Sequence, residues 1–116
     1  MAEDWARPVV HWDIQARDQN KIRDFYSRMF NWQISDGPIM GVAPGIGGPE
    51  EWSGHILPAE RSGITLYIQV LDLRASMEQA KALGGAVVAE PIDIPTGETI
   101  AGISDPEGNR IVLVQQ

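Results

Sequence analysis

The chain repeats its own order of elements at a fixed separation, and this constrains the fold more than any other feature. Displaced by 54 positions, Ile14 falls on Ile68, Gln15 on Gln69 and Asp18 on Asp72. His11 falls on Thr65, and Asn31-Trp32 on Gly85-Ala86. In the first copy Val10, Trp12 and Ile14 alternate with His11, Asp13 and Gln15, the period of two that marks a strand with two unlike faces. Asp18 stands where a helix N-cap belongs, and Ile22, Phe25, Tyr26, Met29 and Phe30 follow as one helical stripe closed by Asn31. In the second copy Thr65, Tyr67 and Gln69 alternate with Leu66, Ile68 and Val70. Asp72 then caps a helix carrying Leu73, Met77, Ala80 and Leu83, and Gly84-Gly85 supplies a left-handed stop. The pattern predicts helices near 18–31 and 72–84.

Further strands are expected at 32–35, 39–43 and 54–57 in the first copy, and at 86–89, 100–104 and 111–114 in the second. Asp105-Pro106-Glu107-Gly108 has the composition of a tight turn. Residues 44–52 hold three glycines and two prolines and read as a loop. Each copy is therefore β-α-β-β-β, module one over about 8–59 and module two over about 63–116. One helix over four short strands can hardly bury its sheet, so the two are expected to share a core as a single domain over 1–116.

Composition removes several functional classes. There is no cysteine, which excludes disulfide scaffolds and thiolate chemistry and suits a reducing compartment. Nine Lys and Arg stand against sixteen Asp and Glu, for a net charge of −7. A phosphate-backbone binder needs a concentrated basic surface, so nucleic acid is not an expected partner. Met1-Ala2-Glu3-Asp4-Trp5 is acidic where a signal peptide is basic, and no apolar stretch approaches the ~20 residues of a membrane span. The expected setting is cytoplasmic, with no membrane partner. Gly45-Ile46-Gly47-Gly48 is not followed by Lys-Ser/Thr, so it fails as a phosphate loop. No Gly-x-Ser-x-Gly elbow exists for a serine hydrolase.

Four stretches resemble the vicinal oxygen chelate superfamily, which groups glyoxalase I, bleomycin-resistance proteins and extradiol dioxygenases. They are Val10-His11-Trp12-Asp13-Ile14 with Asp18, Phe25-Tyr26-Ser27-Arg28-Met29-Phe30-Asn31-Trp32, Leu83-Gly84-Gly85-Ala86-Val87-Val88, and Asp105-Pro106-Glu107-Gly108-Asn109-Arg110. With the terminal strand they extend over residues 8 to 116. The resemblance implies an α+β fold: two tandem β-α-β-β-β modules forming a cupped, incomplete mixed β-barrel with helices outside and the ligand in the cup. It also implies a homodimer. Enzymatic members of the family hold a divalent metal with four side chains, one from the first and one from the last strand of each module. His11 matches the first position, Thr65 its equivalent in module two, and Val112 the terminal one. The remaining position falls between His55 and Pro58, where only His55 can coordinate. No cofactor and no stoichiometric Zn, Ni, Mn or Fe is expected on that pattern; His11 and His55 are the donors if a divalent metal is recruited.

Strand parity places His11, Asp13 and Gln15 on one face, and Thr65, Tyr67 and Gln69 on the matching face of module two. In the family that face lines the cup, while Trp12 and Ile14 go under the helices. Trp32 is likewise assigned to packing. Polar groups on an inner face must be hydrogen-bonded or hydrated, which points to a ligand pocket lined by these six and His55, whose facing the sequence leaves open. His11 and Asp13 are spaced ~6.6 Å along the strand, within reach of a hydrogen bond that would orient the imidazole and raise its basicity. Trp52, on the loop, is either a pocket-rim aromatic or a cover for a sheet edge.

The reading of function is a small-molecule binding protein of the glyoxalase/bleomycin-resistance type, holding a cationic or planar ligand without a complete metal site. The alternative is a glyoxalase-like lyase or isomerase, or a cofactor-free acid–base enzyme using His11 and Asp13. A purely structural module is disfavoured by the polar inner face.

Overall fold

The computed structural model describes residues 6–43 and 54–115. The elements are β1 (Val9–Ala16), α1 (Gln19–Phe30), β2 (Met40–Val42), β3 (Gly54–Pro58), β4 (Gly63–Gln69), α2 (Leu73–Ala82), β5 (Ala86–Asp93), β6 (Thr99–Ser104) and β7 (Arg110–Gln115). This is a mixed α+β fold, with seven strands and two helices among the described residues, in the expected order. The loop expected at 44–52, with Trp52, lies outside the described residues. Among those described, no helix is long and apolar enough to cross a membrane.

Two compact units are distinguishable, His11–Thr65 and Met1–Val10 with Leu66–Gln116. In the first, β3 runs parallel to β1, from Trp12 opposite Gly54 to Ala16 opposite Pro58. β2 pairs antiparallel with β3. Ile14, Ala16, Met40, Val42 and Ile56 form the core, with Trp12, Ile22, Tyr26, Trp32 and Ile34 packed against it. Trp12 and Ile14 therefore take the helix side, as the alternation requires. In the second unit β4 runs parallel to β7, and β7, β6 and β5 follow antiparallel. Its core is Val70, Leu73, Met77, Ala101 and Leu113, flanked by Val87, Ile103 and Ile111.

The helices begin where the sequence marks them. The Asp18 carboxylate accepts the Lys21 N–H at 3.1 Å, and that of Asp72 accepts the Ala75 N–H at 3.0 Å. Each satisfies one of the donors a helix N-terminus leaves unpaired. α1 ends on Asn31 in the left-handed region at φ 58°, and Gly84 takes φ 95° just after α2.

Two strand expectations need correction. The strand expected at 32–35 is a single bridge, Ile34 with Val42. There the Ser35 side chain accepts the Gly41 N–H at 2.8 Å, filling a place that a backbone carbonyl would take in a longer ladder. The strand expected at 86–89 instead runs on to Asp93, through Pro91. Its register with β6 shifts between Val87 and Ala89 and again between Ala89 and Ile92, and the second shift spans Pro91, which has no N–H to give the ladder. The turn at Asp105 is as expected. Its carboxylate accepts the Glu107 and Asn109 N–H groups, both at 2.9 Å, and Gly108 takes φ 89°.

Candidate functional site

The parallel pairing of β1 with β3 sets His55 directly across from Asp13. Alternation along β1 sends His11 and Asp13 to the face opposite Trp12 and Ile14, and cross-strand neighbours share a face. His55, whose facing the sequence leaves open, therefore joins the other two. The Asp13 carboxylate lies 3.0 Å, through Oδ1, from His11 Nε2. His55 Nδ1 is 2.9 Å from the same His11 Nε2 and 3.8 Å from Asp13 Oδ1. The imidazole rings stand 4.6 Å apart between centroids, tilted by 52°.

Asp13 is only 3% exposed, while the two histidines are half-buried. A buried carboxylate is costly unless hydrogen bonds or opposite charge compensate it. Burial pushes the His55 pKa below its ordinary value and the neighbouring His11 adds to that, while Asp13 opposes both. The histidine pair also poses a geometric problem. Seen from His11 Nε2, the three distances put Asp13 Oδ1 and His55 Nδ1 roughly 80° apart, so one proton on Nε2 cannot point straight at both.

Gln15, on the same face of β1, donates from Nε2 to Thr65 Oγ1 at 3.0 Å, and Thr65 is 3% exposed. Tyr67 and Gln69 lie on the part of β4 that belongs to the other unit, opposite Val112 and Val114 of β7. The structure thus brings together His11, Asp13 and His55, and separately Gln15 with Thr65. What the sequence reading missed is that Asp13 makes a third donor beside the two histidines. The signal was the alternation itself, which already put Asp13 on the His11 face.

The first unit thus carries a His-x-Asp pair on the non-core face of a strand that leads into a helix, and a second strand-led helix follows it in the chain. The family model for the glyoxalase-like domain matches residues 9–114, and the chain belongs to that family. It is 27% identical over 114 residues to CFP32 of Mycobacterium tuberculosis, a protein named for glyoxylase; the match covers 89% of this chain and 43% of that one. The chain thus spans less than half the length of the curated relatives it matches. Among solved structures it resembles a glyoxalase/bleomycin resistance protein/dioxygenase superfamily member from Vibrio splendidus. The TM-score is 0.65 at 12% identity, covering 96% of this chain and 100% of that one. It also resembles the Mn(II)-bound glyoxalase of Novosphingobium aromaticivorans, with a TM-score of 0.63 at 16% identity, covering 95% of this chain and 40% of that one.

The four family metal positions and the observed cluster fare differently as ligand sets. At the family positions Thr65 already receives the Gln15 amide hydrogen, and Val112 offers no donor atom. That set does not fit a metal. The side chains of His11, Asp13 and His55 each offer one ligand atom, all within 4.8 Å of one another. That set does.

Proposed function

We propose that this chain is a small-molecule binding protein of the glyoxalase/bleomycin-resistance type, with the His11–Asp13–His55 cluster as its polar anchor. The observation that carries the reading is the carboxylate of Asp13, 3% exposed yet flanked by two imidazoles on the non-core face of β1. A guest that brings positive charge or hydrogen-bond donors compensates that carboxylate, and the chain's net charge of −7 favours a cationic one. Gln15 and Thr65, in the same unit, belong to this reading as further ligand contacts, and Tyr67 and Gln69 as ligand contacts of the other unit. So do the homodimer, which the family resemblance suggests, and the cytoplasmic setting, which the absence of cysteine suits.

The second reading is an enzyme in which His11 moves a proton and Asp13 orients it. The 3.0 Å contact between His11 Nε2 and Asp13 Oδ1 favours it, since a carboxylate on one ring nitrogen holds an imidazole in place. Glyoxalase-like lyase or isomerase chemistry is the reaction class the family suggests.

The test is a ligand-induced melting screen run in chelator, followed by titration of Asp13→Asn and Trp12→Phe with the best hit. Asp13→Asn keeps the shape and deletes the charge, so a cationic guest should bind more weakly by ~1–3 kcal/mol. Trp12→Phe, on the core side, should lower stability with little change in affinity. The reverse outcome in folded variants would refute the assignment of faces and the binding reading with it. Turnover of the hit, abolished by His11→Gln, would favour the enzyme.

A further inference from the structure

We propose that His11 Nε2, Asp13 Oδ1 and His55 Nδ1 form a three-donor site for a divalent transition ion, in which Asp13, outside the family pattern, joins the two first-module family positions His11 and His55 within the His11–Thr65 unit. The inference goes beyond ligand binding and stands without it. It departs from the expectation of a metal-free chain because that expectation counted only the four family positions, and Asp13 is not one of them.

Three observations support it. The first is geometric. The donor atoms form a triangle with sides of 2.9, 3.0 and 3.8 Å. A point ~2.1 Å from all three, the usual metal–nitrogen or metal–oxygen distance, lies only ~0.8 Å off their plane. Neighbouring ligands around such an ion stand ~3.0 Å apart in an octahedral shell and ~3.4 Å apart in a tetrahedral one, values that the triangle's sides bracket. The donors need no rearrangement to bind.

The second is chemical. Two imidazole nitrogens and one carboxylate oxygen suit Zn, Mn, Fe(II), Co or Ni, whereas Ca and Mg prefer a shell of oxygens. Three protein donors on one side also leave coordination positions open on the other. The third is the competing occupant. A proton on His11 Nε2 cannot align with both neighbours at once, whereas a cation near the centre of the triangle meets all three donor atoms together.

The strand pairing fixes the set. Asp13 and His55 are register partners, and His11 is two residues from Asp13 on the same face. No ligand is borrowed from the other unit, so the site depends only on the β1–β3 pair.

The experiment uses the full chain, stripped with chelator and dialysed, then titrated with Zn2+ by calorimetry and with Co2+ by visible absorption. The expected result is one ion per chain, with ligand-field bands for Co2+. Asp13→Asn, His11→Gln and His55→Gln should each weaken Zn2+ binding by about tenfold or more. Asp24→Asn, an exposed carboxylate on α1 paired with Arg28, should leave it unchanged. Circular dichroism checks the fold of each variant, and His55→Gln, at the less buried position, carries the test if Asp13→Asn does not fold. No heat and no bands with either ion would overturn the proposal. So would binding that survives all three cluster variants, or that Asp24→Asn weakens equally. Because the ions are added alone and the organic screen is run in chelator, the two readings fail separately.

Discussion

Replacing Gly54 with alanine tests the packing that delivers His55 to its neighbours. Gly54 lies opposite Trp12 in the parallel β1–β3 pair. A Cβ at position 54 would stand 2.5 Å from Cε2 and Cε3 of the indole. Ordinary carbon contacts are ~3.5–4.0 Å, so the ring must retreat by about 1 Å or more. It has little room to do so. Trp12 sits 5.5 Å from Trp32, which in turn stacks on Tyr26 at 5.0 Å and 12°. All three pack on the core of this unit.

Alanine also brings favourable terms: ~0.8 kcal/mol for a buried methyl and ~0.4–1 kcal/mol from restricting the unfolded chain. Overpacking costs ~1–3 kcal/mol, and an overlap this large against a wedged aromatic falls at the upper end. The net expectation is a loss of about 1–2 kcal/mol. Urea denaturation followed by circular dichroism measures it as a lower midpoint at unchanged slope. The clash is specific to one ring, so in a Trp12→Ala background the same glycine replacement should cost nothing or stabilise. Such non-additivity is what contacting residues show. A cost below about 0.3 kcal/mol, or an equal cost in both backgrounds, would refute the argument.

Asp18→Ala and Asp72→Ala should each lower stability by about 1 kcal/mol through loss of the helix cap, with the asparagine variants close to the parent in the same denaturation assay. Met77→Ala empties a position 6% exposed in the second core and should cost ~2–5 kcal/mol by chemical denaturation. The Asn109 side chain, with backbone N–H groups of the turn, holds the Asp105 carboxyl below the usual carboxylate range. The folded state therefore favours the carboxylate; its stabilising contribution is present above the ordinary carboxyl pKa and fades as pH falls through the depressed one. An NMR titration should find the Asp105 value rising on Asn109→Ala, and no movement would remove that cause.

The local signals were legible because each lies within a few neighbouring residues. An aspartate before an apolar stripe marks a helix start in any context, which is why Asp18 and Asp72 cap α1 and α2. Period-two alternation likewise assigned His11 and Asp13 to one face and Trp12 and Ile14 to the other. Where the local signal was weak, the competition was settled elsewhere. The segment after Asn31 carries strand-like residues, yet the Ser35 hydroxyl and its few backbone partners reduce it to one bridge. In β5, Pro91 is tolerated because the ladder to β6 slips in register around it.

The sequence by itself thus determined the order of elements, the caps and the division of β1 into a polar and an apolar face. These depend on periodicity and on interactions only a turn or two long. Only the tertiary structure decided that His55 stands beside Asp13, more than forty residues away along the chain. A one-residue slip of β3 against β1 would turn His55 to the other face, and no local pattern forbids that slip. The register is held by packing: Trp12 needs the side chain missing at Gly54, and Ile14 and Ile56 are paired within one core. The three donor atoms of the site meet because of that register.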